Sequence, residues 1–300
     1  MPTPTTFKLA GPSIIVEAVP LSPKAFAPFG DVVANPRPDL QPPSLKSSSS
    51  TQPSLPFNGI SANQGSAIKY HHVSRTINLY DQAPSGVPGT QAMSMFVCAA
   101  RASIPDDSAP VPTPAAPDIG PGLTLNLNPN NTPARNPLSS IFPVSVLERH
   151  PYTTQTFIPL TADPTAHYLV IVAPTLPPSP SSPEEKAISS LPVPTSLPSQ
   201  TPSYPRPLPG PGAPDISRLR AFIATGSQAV TYGAGTWHAP MVALGSPGTA
   251  VDFVVVQFAN GVGVEDCQEV YFESGNEEEG GRILVKLRSL GAKGREVAKL

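Results

Sequence analysis

Apolar residues in this chain come in short bursts separated by turn-forming residues. "IIVEAVP" alternates between apolar and polar positions and reads as a strand. "SPKAFAPFG" follows as a single helical turn, with Ser22 in the capping position and Gly30 at the close. "AIKYHHVSRTINLY" and "AMSMFVCAAR" read as further strands, and "SSIFPVSVLERH" with "TQTFIPL" as two more. "AHYLVIVAP" is apolar without alternation, the pattern of a strand covered on both faces. "LRAFIA" and "AVTYGAG" are parted by a Gly-Ser turn, and "AVDFVVVQFA" is the strongest strand signal in the chain. Many short strands with few helices predict a mainly β fold: an antiparallel β-barrel or sandwich with few short helices.

Three stretches carry no periodicity. Residues 36–56, 104–138 and 175–213 are dense in Pro and Ser. The chain holds 43 Pro and 22 Gly among 300 residues, and these stretches concentrate the Pro. Such segments bury too little apolar surface to offset their ordering entropy, so they are expected to be disordered insertions in a single domain spanning 1–300. Removal of 175–213 is accordingly expected to leave folding intact. The tail, 275–300, turns acidic and then basic and is expected to be flexible or to end in a helix.

A net charge of −2 supplies no basic stripe, which argues against a nucleic-acid partner. Cys98 and Cys267 are too few for a disulfide framework or a zinc knuckle. No apolar run reaches the ~18 residues that cross a bilayer, and the N-terminus lacks a secretory pattern, so no membrane partner is expected. The sequence reads as soluble and cytoplasmic. The terminal Ala298-Lys299-Leu300 loosely resembles a peroxisomal address.

Charged residues are scarce, at 13%. "LERHPYTTQTFIPL" nevertheless sets Glu148, Arg149 and His150 side by side before a strand. On a strand, alternate residues share a face, so Glu148 and His150 can enter one interior while Arg149 faces away unless the backbone bulges. Gln155 starts the following strand. His238, in "GTWHAP", lies between a Gly-rich turn and a later strand. A small β-barrel can hold one small ligand in its mouth.

This set is similar to the cupin pattern of a His-x-His pair, a following Glu and a final His. Glu148 stands at the first His and Gln155 at the Glu. Glu148, His150, Gln155 and His238 could hold a divalent ion, as a weaker set than three His and one Glu. Longer strings carry a more specific resemblance. "PLSPKAFAPFGDVV", "NQGSAIKYHH", "LERHPYTTQTFIPL", "LRAFIATGSQAVTYGAGTWHAP" and "VEDCQEVYF" resemble, in order, the signature segments of the ureidoglycolate lyase family. The Pro-rich insertions are what an elaborated fungal member would carry. One departure is Ala239, where the family often has a second His after the Trp-His pair.

The resemblance implies cleavage of (S)-ureidoglycolate to glyoxylate and urea, in allantoin breakdown, by a homodimer. A base takes the hydroxyl proton and an acid protonates the departing urea nitrogen. His150, His238 and Glu148 are the candidates for that work. Lys69, or Arg149 if its face permits, would hold the substrate carboxylate. Gln155 and Asn63 match a urea-like group, and Tyr70 completes the substrate-binding set. A metal-dependent amidohydrolase releasing ammonia, and a non-catalytic barrel binding a small acid, are the alternatives.

Overall fold

A computed structural model describes residues 5–42, 54–101, 104–105, 139–161, 163, 165–197, 206–275 and 280–288. Its strands, in chain order, are β1 (Thr5–Leu9), β2 (Ile14–Pro20), β3 (Gly30–Val33), β4 (Ile60–Ala62), β5 (Ala67–Lys69), β6 (Thr90–Ala99), β7 (Ile104–Pro105), β8 (Ser139–Val144) and β9 (Val146–Arg149). There follow β10 (Gln155–Pro159), β11 (His167–Ala173), β12 (Arg220–Thr225), β13 (Ala229–Tyr232), β14 (Trp237–His238), β15 (Val242–Leu244), β16 (Ala250–Ala259), β17 (Gln268–Ser274) and β18 (Ile283–Arg288). Three short helices are described: α1 (Pro23–Phe26), α2 (Pro183–Ser189) and α3 (Gly263–Asp266).

The strands form an eleven-stranded sheet in the order β1-β17-β9-β14-β11-β12-β2-β18-β8-β7, with β15 also on β11. A five-stranded sheet runs β3-β13-β10-β16-β6, and β4 and β5 pair separately. The curled sheets form a half-barrel, so the mainly β, cupin-like expectation holds. Most pairings are antiparallel. β1–β17, β2–β12 and β2–β18 are parallel.

β11 is the central strand and is buried on both sides, as its unbroken apolar run requires. Leu169, Ile171 and Ala173 face one core with Trp237, Leu147, Val270 and Val285. Tyr168, Val170 and Val172 face a second core between the sheets, with Phe157, Tyr232 and Phe253. The Tyr168 and Phe253 rings meet edge-on at 5.1 Å. The functional cluster lies along this inter-sheet side.

α1 starts where Ser22 accepts from the Ala25 amide at 3.3 Å, the cap its sequence predicts. "AIKYHHVSRTINLY" is not one strand. β5 ends at Lys69, and His72 takes a φ of 53°, which breaks an extended ladder.

Residues 175–197 and 206–213 are packed, contrary to the disorder expected of 175–213. Ile188 of α2 and Ala213 are buried in the first core. The expected tail also contains β18, whose Ile283, Val285 and Leu287 are buried. β18 lies between β2 and β8, a pairing of distant segments that local pattern does not display. Ile104–Pro105 pairs with β8, whereas 106–138, 43–53 and 289–300 lie outside the described residues. Among the described residues no helix is long and apolar enough to cross a membrane. Cys98 and Cys267 are free thiols.

Candidate active site

β9 sorts its side chains by parity. Leu147 turns into the first core, and Glu148 turns the other way. In register, Glu148 lies opposite His238 of β14 on one side and Glu269 of β17 on the other. After Arg149 the chain turns sharply and enters the smaller sheet at Gln155. That crossing carries His150 to the inter-sheet space, where its ring centroid is 5.6 Å from that of His238. Gln155 is in register with Tyr232, whose ring stacks on His238 at 3.9 Å and 13°.

The two imidazoles are oriented by main-chain carbonyls. His150 Nδ1 lies 2.6 Å from the Asp266 carbonyl, and His238 Nδ1 lies 2.9 Å from the Thr236 carbonyl. A carbonyl only accepts, so both Nδ1 atoms donate and each neutral ring presents a bare Nε2. His150 Nε2 is buried without a hydrogen-bond partner, 3.9 Å from Glu148 Oε1. His238 Nε2 is 3.4 Å from the same Oε1 and 3.1 Å from Gln155 Oε1. Gln155 Nε2 donates to Gln257 Oε1 at 2.7 Å. Acceptors therefore converge around His238 Nε2. A second proton on that ring, a cation, or the Gln155 amide turned over to donate from its Nε2 reconciles them.

Burial raises the Glu148 pKa, but the hydrogen bond and charge of His238, with the charge of His150, outweigh it; the net shift is downward. Glu148 is thus a carboxylate at neutral pH. Burial lowers the His150 pKa, His238 adds to this, and Glu148 only partly opposes it, so His150 is neutral at pH 7. Cys267 Sγ is 4.0 Å from Glu148 Oε2, and burial pushes the thiol upward so that it stays protonated. The ligand atoms of Glu148, His150 and His238 lie within 4.8 Å of one another, as do those of Glu148, Cys267 and Glu269. Two imidazoles and a carboxylate suit a divalent transition-metal ion, and His150 offers it an unpartnered lone pair.

Comparison with known proteins gives this cluster its context. The family model described as ureidoglycolate lyase matches residues 13–278. The ureidoglycolate lyase of Schizosaccharomyces pombe is 31% identical over 261 residues, 86% of this chain and 92% of that protein. The Saccharomyces cerevisiae ureidoglycolate lyase is 32% identical over 219 residues, 72% of this chain and 79% of that one. A Burkholderia mallei ureidoglycolate lyase is 34% identical over 115 residues, covering 38% and 43%.

The chain belongs to the ureidoglycolate lyase family. In this member of the ureidoglycolate lyase family, Glu148, His150, Gln155 and His238 come together from two sheets. Arg149 does not join them. It is fully buried and its guanidinium stacks over Trp237 at 4.4 Å. It donates to Gln268 Oε1 and to the carbonyls of Gly210, Pro211 and Gly212, at 2.8–3.1 Å. Strand alternation sends it to the face opposite Glu148, and it is unavailable to a substrate.

Asn63, Lys69 and Tyr70 belong to the separate β4–β5 hairpin. Asn63 and Lys69 are exposed, and the Tyr70 hydroxyl is buried without a partner. No described hydrogen bond or ion pair joins these three to the cluster. Ala239, in place of the family's frequent His, is buried in the first core, away from the face of His238. Sequence reasoning missed the Asp266 carbonyl, Tyr232, Gln257, Cys267 and Glu269. Cys267 and Glu269 are two apart beside a strand, the same spacing that singled out Glu148 and His150.

Proposed function

We propose that this chain is a ureidoglycolate lyase, converting ureidoglycolate to glyoxylate and urea. The observation that carries the reading is the buried, unpartnered Nε2 of His150 facing the Glu148–His238 pair, in a chain of this family. The neutral His150 takes the substrate hydroxyl proton. The oxygen pair forms the glyoxylate C=O as the C–N bond breaks. That bonding pair goes to the urea nitrogen, which takes a proton from His238 Nε2. Glu148 stabilises the His238 imidazolium, and it lies within 3.9 Å of both rings, so it can pass the proton back between them after turnover. The Gln155 amide, anchored on Gln257, orients the ureido group.

Glu148, His150 and His238, with Gln155 adjacent, also fit a divalent cation. Such an ion, when bound, would polarise the substrate hydroxyl. Incubating metal-stripped protein with ureidoglycolate, then restoring single divalent ions, separates the two arrangements. Glyoxylate with equimolar urea is expected. Ammonia without urea would overturn the lyase reading in favour of an amidohydrolase, and no turnover in either state would leave a non-catalytic binder. Lys69, Asn63 and Tyr70 stay in the proposal as substrate-recognition candidates, tested by single substitutions that raise KM.

We also propose a homodimer. The outer face of the five-stranded sheet carries an apolar strip on β6, β16 and β10, interrupted by Asp252 opposite Val97, and the edge strand β6 itself carries no charge. Met93, Met95 and Val97 are 72%, 63% and 69% exposed. Met95 aligns with Val254, and Val254 with the exposed Ile158. A second copy is the fitting occupant, because two antiparallel β6 strands would pair edge to edge about a two-fold axis. A cytoplasmic location, or a peroxisomal one through the last three residues, belongs to the same proposal and is tested by imaging chains with and without them.

A further inference from the structure

A cleft of about 960 Å³ lies beyond the active-site cluster, at the end of β11 and β12. It falls within the roughly 300–1,000 Å³ of small-molecule sites. None of Glu148, His150, Gln155 and His238 lines it. Its walls combine an apolar surface, including Phe29, Phe222 and Leu208, with Arg206, Arg218 and Arg220. Among the described residues no carboxylate lines it.

The three arginines are not equivalent. Arg206 is braced: it pairs with the Asp31 carboxylate and donates to the carbonyls of Ala27 and Gly30 at 2.5 and 2.6 Å. Its charge is therefore compensated and it acts as a fixed wall. The side chains of Arg218 and Arg220 make no hydrogen bond or ion pair with a described residue, although their main chains are bonded. Leu219 between them is anchored in the first core, which turns both long side chains outward on the cleft side. Two like charges on one wall of the cleft favour an anionic ligand between them.

We propose that this cleft binds a small organic dicarboxylate. Arg218 and Arg220 each take one carboxylate in bidentate fashion, and the apolar wall covers the carbon chain between the two ends. Thr236 links the cleft to the active site. It lines the cleft, its hydroxyl donates to the Phe29 carbonyl at 3.1 Å, and its own carbonyl holds His238 Nδ1. The chain's only Trp, Trp237, is the next residue, so its fluorescence offers a local signal.

The test titrates the full chain with glutarate, butyrate or inorganic phosphate, followed by calorimetry and Trp fluorescence. Glutarate is expected to saturate, and at least about tenfold more tightly than butyrate, which offers one carboxylate instead of two. The double variant Arg218→Gln/Arg220→Gln is expected to lose that binding with its melting temperature unchanged, because neither side chain is part of the packing. The same titration with His238→Ala is expected to keep it, which separates this cleft from binding at the active site. Equal affinity for glutarate and butyrate, or unchanged binding by the double variant, overturns the proposal. Phosphate binding as tight as glutarate overturns the dicarboxylate assignment. Loss of binding in His238→Ala assigns the ligand to the active site and overturns it as well.

Discussion

Glu148 illustrates how far one position can be read from its neighbours in the chain. Parity along the strand separates Glu148 and His150 from Arg149, and the folded chain keeps that separation: Glu148 faces His238, while Arg149 lies under Trp237. Replacing Glu148 by Gln keeps the shape and removes the charge that stabilises a protonated His238. We expect kcat to fall about 10²–10³-fold with an unchanged far-UV spectrum, a loss of the size of general acid–base catalysis. His238→Ala should lose at least as much activity. It also removes the stack on Tyr232, worth about 1 kcal/mol, so its melting temperature should drop slightly. What parity cannot supply is the Asp266 carbonyl or the Tyr232 ring. They arrive through α3, which leads into β17, and through β13, more than eighty residues further on, and only the pairing of strands places them.

At the scale of elements, the sequence misleads most at 175–213. Pro and Ser density signals a segment with too few donors and apolar groups to order itself. Here other parts of the chain supply the missing partners. Arg149 satisfies the carbonyls of Gly210, Pro211 and Gly212, and Trp237 Nε1 also donates to Gly212. Gln268 donates to Pro192, and Gln82 donates to Ser196. These donors lie outside the segment, so its composition could not reveal them. Arg149→Met leaves the Gly210 and Pro211 carbonyls and Gln268 Oε1 without their donor, while Gly212 keeps Trp237, and we expect a loss of about 3 kcal/mol, read by chemical denaturation. It should also bring faster proteolysis within 206–213. Deleting 175–213 should cost soluble protein, contrary to the expectation from composition, because Ile188 and Ala213 leave the core. By contrast, the unbroken run of β11 and the long β16 were legible, since their own residues carry the signal.

For the whole molecule, two predictions concern assembly and acid. Met95→Asp puts a charge at the centre of the exposed outer face. If that face joins two copies, sedimentation should shift from dimer to monomer while the monomer's spectrum is kept. Glu265 is buried, which raises its pKa, but bonds from Ser85 and Asn260 outweigh this and the net shift is below 4.5. A carboxylate with a depressed folded pKa stabilises above its unfolded value, and that contribution is lost as pH falls through the folded one. Thermal melts should therefore decline below about pH 4.5, and Glu265→Gln should melt lower at neutral pH with a shallower decline in acid. The position of β18 carries a consequence for how the protein is made. The last described strand sits inside the large sheet, with the second strand on one side and β8 on the other. The emerging polypeptide cannot close that sheet until Ile283–Arg288 has left the ribosome. Until then β2 and β8 wait with open edges, so closure of this sheet is a late, long-range step of folding.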